Sequence, residues 1–165
     1  IHDPEMVRQG LTITTQTTET SIELNIRSTH IGHRFPTYSV PRVRLIAMPL
    51  DSNGRPIPGT YREMVLQRRV TVDDGRWIEH SDTRLEPGES VILSIPRQNG
   101  SRCTSAVKFR IDIEPEWFYQ DYVYPTVLEE LENGPARNLI EQAKSLSASH
   151  NYVLFEKIMK NNCID

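Results

Sequence analysis

The sequence is short of cysteine: there are two in 165 residues, Cys103 and Cys163, far apart in the chain. That spacing excludes a Cys-x-x-Cys zinc site and a Cys-x-x-Cys-His haem attachment site within these residues. Long hydrophobic runs are missing too. No apolar stretch approaches the roughly 20 residues a spanning helix needs, so no membrane insertion is expected. Charge of one sign is also lacking: 19 basic residues stand against 22 acidic ones, a formal net charge of -3. Without a basic excess there is no general attraction to phosphate backbones, and no nucleic-acid partner is expected. The chain opens on Ile1 with neither an initiator methionine nor a signal peptide, the pattern of a cleaved product or of a piece of something longer.

What is present is the composition of an ordinary folded domain. Hydrophobic residues make up 37% and charged residues 25%, with a mean hydropathy of -0.50, a balance that fits neither bulk disorder nor a membrane-embedded chain. A chain of this length buries well over half of its unfolded surface without a staple, and one domain over 1–165 is the expectation. Apolar and polar residues alternate at Leu11, Ile13 and Thr15, at Ile22, Leu24 and Ile26, and at Val43, Leu45 and Ala47. Period two marks strands with one buried face. Further runs over 60–72, 76–83, 90–96 and 106–113 follow. Asp51-Ser52-Asn53-Gly54, Asp73-Asp74-Gly75, Glu86-Pro87-Gly88 and Asn99-Gly100 punctuate them with residues that tolerate or favour turn geometry. The reading is mainly β: an antiparallel β-sandwich over 11–113, with about seven to nine strands once a final strand is counted.

Past Glu114 the pattern turns helical. Pro115 suits a first helical turn, Pro125 should kink or split the segment that follows, and Asn133-Gly134 closes it. Pro135 then opens a second helix, with Leu139, Ile140, Ala143 and Leu146 spaced along one face. A helical pair over 114–149 and a last strand over 150–160 complete the expected order, with 1–10 as a leading segment. The aromatic group Trp117, Phe118, Tyr119, Tyr122 and Tyr124 is read as a helix packing onto the sheet.

Chemistry concentrates in the loop between the second and third strands. Ser28-Thr29-His30-Ile31-Gly32-His33-Arg34-Phe35-Pro36-Thr37-Tyr38 is too long for a tight hairpin and carries two histidines, an arginine, two aromatics and a proline. His30-x-x-His33 offers two imidazoles that one zinc or copper ion could use; a histidine pair on an exposed turn is the plainer reading. His80 and His150 stand in or beside strands without a catalytic neighbour in sequence, and no nucleophile elbow, P-loop or His-Glu-x-x-His is present. No enzyme activity is expected of the chain.

Asn25 with Gly32-His33-Arg34-Phe35-Pro36-Thr37-Tyr38, then Pro41-Arg42-Val43, Asp51-x-x-Gly54 and Asp82-Thr83-Arg84-Leu85-x-Pro87-Gly88-Glu89, resembles the C-terminal β-domain of multihaem c-type cytochromes. His2-Asp3-Pro4-Glu5-Met6-Val7 is similar to the junction where the haem-bearing part of that family ends. The resemblance spans essentially the whole chain; the departure is that every Cys-x-x-Cys-His is missing. It implies an exported, periplasmic or extracellular, haem-free part or partner of such a cytochrome, with haem c attached to another chain or an upstream segment. It also implies that His33, then His2, supplies a distal axial ligand to haem iron, with His30 a possible extra ligand and Arg34, Phe35, Pro36 and Tyr38 as haem-contact residues. Export would favour a Cys103–Cys163 disulfide, whose long loop stabilises by about 4 kcal/mol on the chain-entropy account; two free thiols are the alternative. The competing reading is an exported binding or adhesion module that recognises carbohydrate or protein through the 30–41 loop.

Overall fold

The structure is a computed structural model and describes residues 1–97 and 104–161. Its frame is two antiparallel sheets. Strands β1 (Leu11–Thr17), β2 (Ser21–Ser28) and β7 (Ser90–Pro96) form one, in the order β1-β2-β7. Strands β3 (Arg42–Leu50), β4 (Arg62–Leu66), β8 (Ala106–Glu114) and β9 (Tyr152–Lys160) form the other, in the order β4-β3-β8-β9. Three strands facing four is the architecture of immunoglobulin-like sandwiches. Period two in the sequence becomes pairing across the ladders. Ile22, Leu24 and Ile26 lie opposite Ile95, Leu93 and Val91, and Val43, Leu45 and Ala47 opposite Ile113, Ile111 and Phe109. These side chains form one buried core, each large one contributing roughly 1.5–3 kcal/mol by leaving water. On the outer face of the second sheet the alternate positions hold cross-strand ion pairs, Arg42 with Glu114, Arg44 with Glu63 and Lys108 with Glu156.

The turns follow the sequence signals. Asp74 and Gly75 both take positive φ, 47° and 70°, as a two-residue hairpin connection needs. Gly88 at φ 81° closes Glu86-Pro87-Gly88-Glu89, with the amide of Glu89 donating to the carbonyl of Glu86 at 3.0 Å. The expected single strand over 60–72 is corrected: the chain leaves the second sheet after Leu66, and Arg68–Asp73 (β5) pairs with Arg76–Asp82 (β6) as a separate two-stranded ribbon. The break sits at Gln67. Its amide donates to the Thr83 hydroxyl, which in turn donates to the carbonyl of Val65, so one side chain clamps the foot of the ribbon. Met64, Leu66, Val70 and Val72 keep the same phase across the break, which is why the sequence pattern runs on through it.

Residues 1–10 hold a helix, α1 (Pro4–Gly10), started by Asp3, whose carboxylate accepts from the amides of Glu5 and Met6. Between β8 and β9 lie the helices. A π-helical turn (Tyr119–Val123) runs into α2 (Tyr124–Glu130), and α3 (Pro135–Ser149) returns. The expected kink or split at Pro125 is instead a change of winding in an unbroken helix: the chain is wound wide up to Tyr124, whose amide reaches back to Tyr119, and the ordinary helix begins around the residue with no amide to give. Phe118 stacks on Tyr122 at 5.1 Å and meets Trp77 of β6 at 6.0 Å, so the aromatic group does pack on a sheet, and that sheet is the β5-β6 ribbon. Only half of the α3 stripe is covered: Leu139 and Leu146 remain 64% and 62% exposed. The contact with the π-helical turn runs instead through Ser147, which is buried and whose carbonyl accepts from Gln120 at 2.9 Å. Among the described residues no helix is long and apolar enough to cross a membrane. The Asn99-Gly100 turn, Cys103 and Cys163 lie outside the described residues.

Candidate functional site

Four segments meet at one end of the sandwich, and hydrogen bonds between them show why. The carbonyl of Gly10 at the end of α1 accepts the amides of Thr29 and His30, each at 3.0 Å, so the 29–41 loop starts against the helix. Phe35 and Leu85 exchange both backbone hydrogen bonds at 2.8 Å, tying the middle of the loop to the 83–89 connection. The amide of Phe118 donates to the carbonyl of Val40, tying its end to the helical insertion. The hydroxyl of Tyr152 donates to the carbonyl of Ile1 at 2.7 Å, which fixes the leading segment to β9.

Within this frame the loop residues take distinct roles. Phe35 and Pro36 are buried and anchor the loop in the core instead of standing at its surface. Arg34 donates to Glu86 at 2.6 Å and to Asp82 at 2.7 Å; the two carboxylates raise its pKa, Glu86 more than Asp82. Its guanidinium is therefore occupied at the foot of the loop. Asp82 also receives two bonds from the Arg84 guanidinium, and these, with the Arg84 amide and Arg34, hold its carboxyl far below the usual carboxylate range. Tyr38, at φ 65°, is 74% exposed.

His33 sits on the exposed rim with its ring oriented. Nδ1 lies 3.0 Å from the carbonyl oxygen of Arg34 and 3.1 Å from the Thr37 hydroxyl. A carbonyl can only accept, so Nδ1 carries a proton; in the neutral ring the lone pair is then on Nε2, which lies 3.5 Å from the same Thr37 hydroxyl. Beside it runs a cleft of about 160 Å³, walled by Ile1, Met6, Val7, Ile31 and Phe35, with His33 and Thr37 as its polar edge. That is well below the roughly 300–1,000 Å³ of sites that enclose a ligand. It can form one wall of a larger site.

His30 is exposed at the start of the loop. His2 is brought to a different neighbourhood: its Nε2 lies 4.0 Å from Glu116 Oε1, and His150 Nδ1 lies 3.1 Å from the same oxygen. The two imidazoles stand edge to face, 5.8 Å between centroids. Sequence reasoning passed over Glu116 and His150. The three positions carry no shared spacing, and only the return of the helical insertion to its starting end makes them neighbours. His80 is bonded to Thr71 within the ribbon at 2.8 Å.

No family model matches the chain, and no curated protein matches it. Among solved structures its fold is similar to that of a penta-heme cytochrome c552 from Thermochromatium tepidum, with a TM-score of 0.59 and 14% sequence identity over 97% of this chain. The match spans 42% of that protein's length.

Proposed function

We propose that this chain is the haem-free β-sandwich part, or subunit, of an exported multihaem c-type cytochrome, and that His33 donates an axial imidazole to a haem carried elsewhere. The observation that carries the reading is the orientation of His33: Nδ1 held by the Arg34 carbonyl, Nε2 on an exposed rim with, among the described residues, only a 3.5 Å contact to the Thr37 hydroxyl, an apolar cleft alongside. The likeness in fold to part of a penta-heme cytochrome supports it. A second imidazole on iron fills the sixth position and leaves an electron carrier whose potential follows ligand and burial. This chain's contribution is to hold the nitrogen, present an apolar wall and exclude water. Arg34 positions the loop through Asp82 and Glu86, and Tyr38 is the exposed ring available to lie against a porphyrin edge. The assignment makes the chain an electron-transfer component with no reaction of its own. Its partner is a chain or domain that carries Cys-x-x-Cys-His motifs.

The test is the absorption and electron paramagnetic resonance spectrum of the assembly purified with its haem-bearing partner. The native assembly should be bis-histidine and low-spin throughout, and His33→Ala should convert one haem to high spin while the chain still co-purifies. A spectrum unchanged by that substitution overturns the assignment. A colourless chain that holds a glycan or protein through the 30–41 loop would replace it with the binding-module reading.

A further inference from the structure

We infer that His2, Glu116 and His150 form a binding site for one divalent first-row transition-metal ion, of which zinc(II) is the working probe. The three ligand atoms, one from each side chain, all lie within 4.8 Å of one another. An ion held at about 2.0–2.2 Å from each donor sets tetrahedral donors roughly 3.3 Å apart. The observed separations of 3.1 and 4.0 Å to the shared carboxylate oxygen are within a small side-chain adjustment of that spacing.

Each ligand is carried on a fixed stretch of backbone. Ile1, next to His2, is held by the Tyr152 hydroxyl, and Asp3, on its other side, caps α1. The carbonyl of Glu116 accepts from the amides of Tyr119 and Gln120, both at 3.1 Å. The amide of His150 closes the end of α3 on the carbonyl of Ser147 at 3.2 Å. Three anchored stretches of backbone thus bring the side chains together, and the 3.1 Å hydrogen bond between His150 and Glu116 already holds two of them in place, part of the preorganisation a site requires.

The donor set selects the class of ion. Two imidazoles and one carboxylate suit zinc, iron(II), nickel or copper(II), whereas calcium and magnesium take oxygen ligands. The side chains of His2, His150 and Glu116 are 56%, 43% and 24% exposed, so an ion bound there keeps at least one position open to water. The haem reading turns on His33, so either can fail alone, but an ion held by His2 excludes His2 as a haem ligand.

The experiment is calorimetric titration of the metal-free full chain with zinc(II), with cobalt(II) as a spectroscopic reporter of nitrogen and oxygen ligation. One equivalent should bind and raise the melting temperature. Glu116→Gln and His150→Ala should each weaken binding at least about tenfold, the factor that losing even an outer partner costs a metal site. His80→Ala should leave binding unchanged. Glu116→Gln preserves shape, so a metal-free variant that melts like the native chain yet no longer gains stability from zinc separates ligation from folding. Absence of binding below millimolar zinc overturns the inference, as does binding that survives His150→Ala and is lost in His30→Ala.

Discussion

Asp82 accepts from Arg34 and Arg84 together, and both guanidiniums sit where the loop bearing His33 joins the 83–89 connection. Its carboxyl titrates well below its ordinary value, chiefly through the Arg84 bonds. A depressed folded pKa means that the stabilisation is fully present above the unfolded value of about 3.9 and is lost as pH falls through and below it. Asp82→Ala is expected to lose about 2 kcal/mol at neutral pH in urea unfolding, the worth of bonds to a charged group, and to flatten the acid limb of the stability profile. Tyr152 gives the opposite sign. Burial pushes its phenol up to about 12, so the neutral form is the one the fold favours; its contribution holds below about pH 10 and disappears as pH rises toward 12. Tyr152→Phe should cost about 1 kcal/mol at neutral pH, through the lost bond to Ile1, and should remove the highest-pH step from a tyrosine absorbance titration.

Gly10 shows how closely α1 and the loop are fitted. A Cβ built there would stand 2.7 Å from Cγ1 of Ile31, inside contact distance, with no positive φ to blame. Gly10→Ala is expected to destabilise by about 1–3 kcal/mol and to move Ile31, a wall of the cleft beside His33, so that a chemical-shift change at the His33 ring should accompany the loss. On α3 the expectation is the reverse. Leu139→Gln with Leu146→Gln should change stability by no more than about 0.5 kcal/mol each, since both already face solvent. Strands were legible in the sequence wherever a face is buried, because alternation at Leu24, Leu45 or Ile111 reports burial directly. The break at Gln67 was not, because the phase of the pattern continues through it. The α3 stripe was legible as a stripe, but periodicity says nothing about whether a face is covered. His33 stood out because its loop is compositionally odd; the meeting of His2, Glu116 and His150 depends on topology, which no local pattern carries.

Across the whole molecule, the fold and the candidate site share an edge, since Val7 and Phe35 belong both to the core and to the cleft beside His33. The fold rests on one core shared by both sheets, and Phe109, fully buried at its centre, should cost about 3–5 kcal/mol on replacement by alanine, measured in the same unfolding experiment. His33→Ala should leave that curve within about 0.5 kcal/mol of native while altering the spectrum of the haem-bearing assembly. Asp82, Leu85 and Gly10 lie between the two classes, since they hold the site to the fold. The aromatic seam between the helical insertion and the β5-β6 ribbon has an optical consequence. The chain's two tryptophans flank it: Trp77 on the ribbon beside Phe118, and Trp117 at the start of the insertion, beneath the guanidinium of Arg42 on β3, 4.8 Å from its ring centre. Neither belongs to the sandwich core. Fluorescence will therefore time the lifting of the helices from the ribbon and from β3, while circular dichroism follows the sheets, and the interval between the two signals measures how far the insertion moves as a unit of its own.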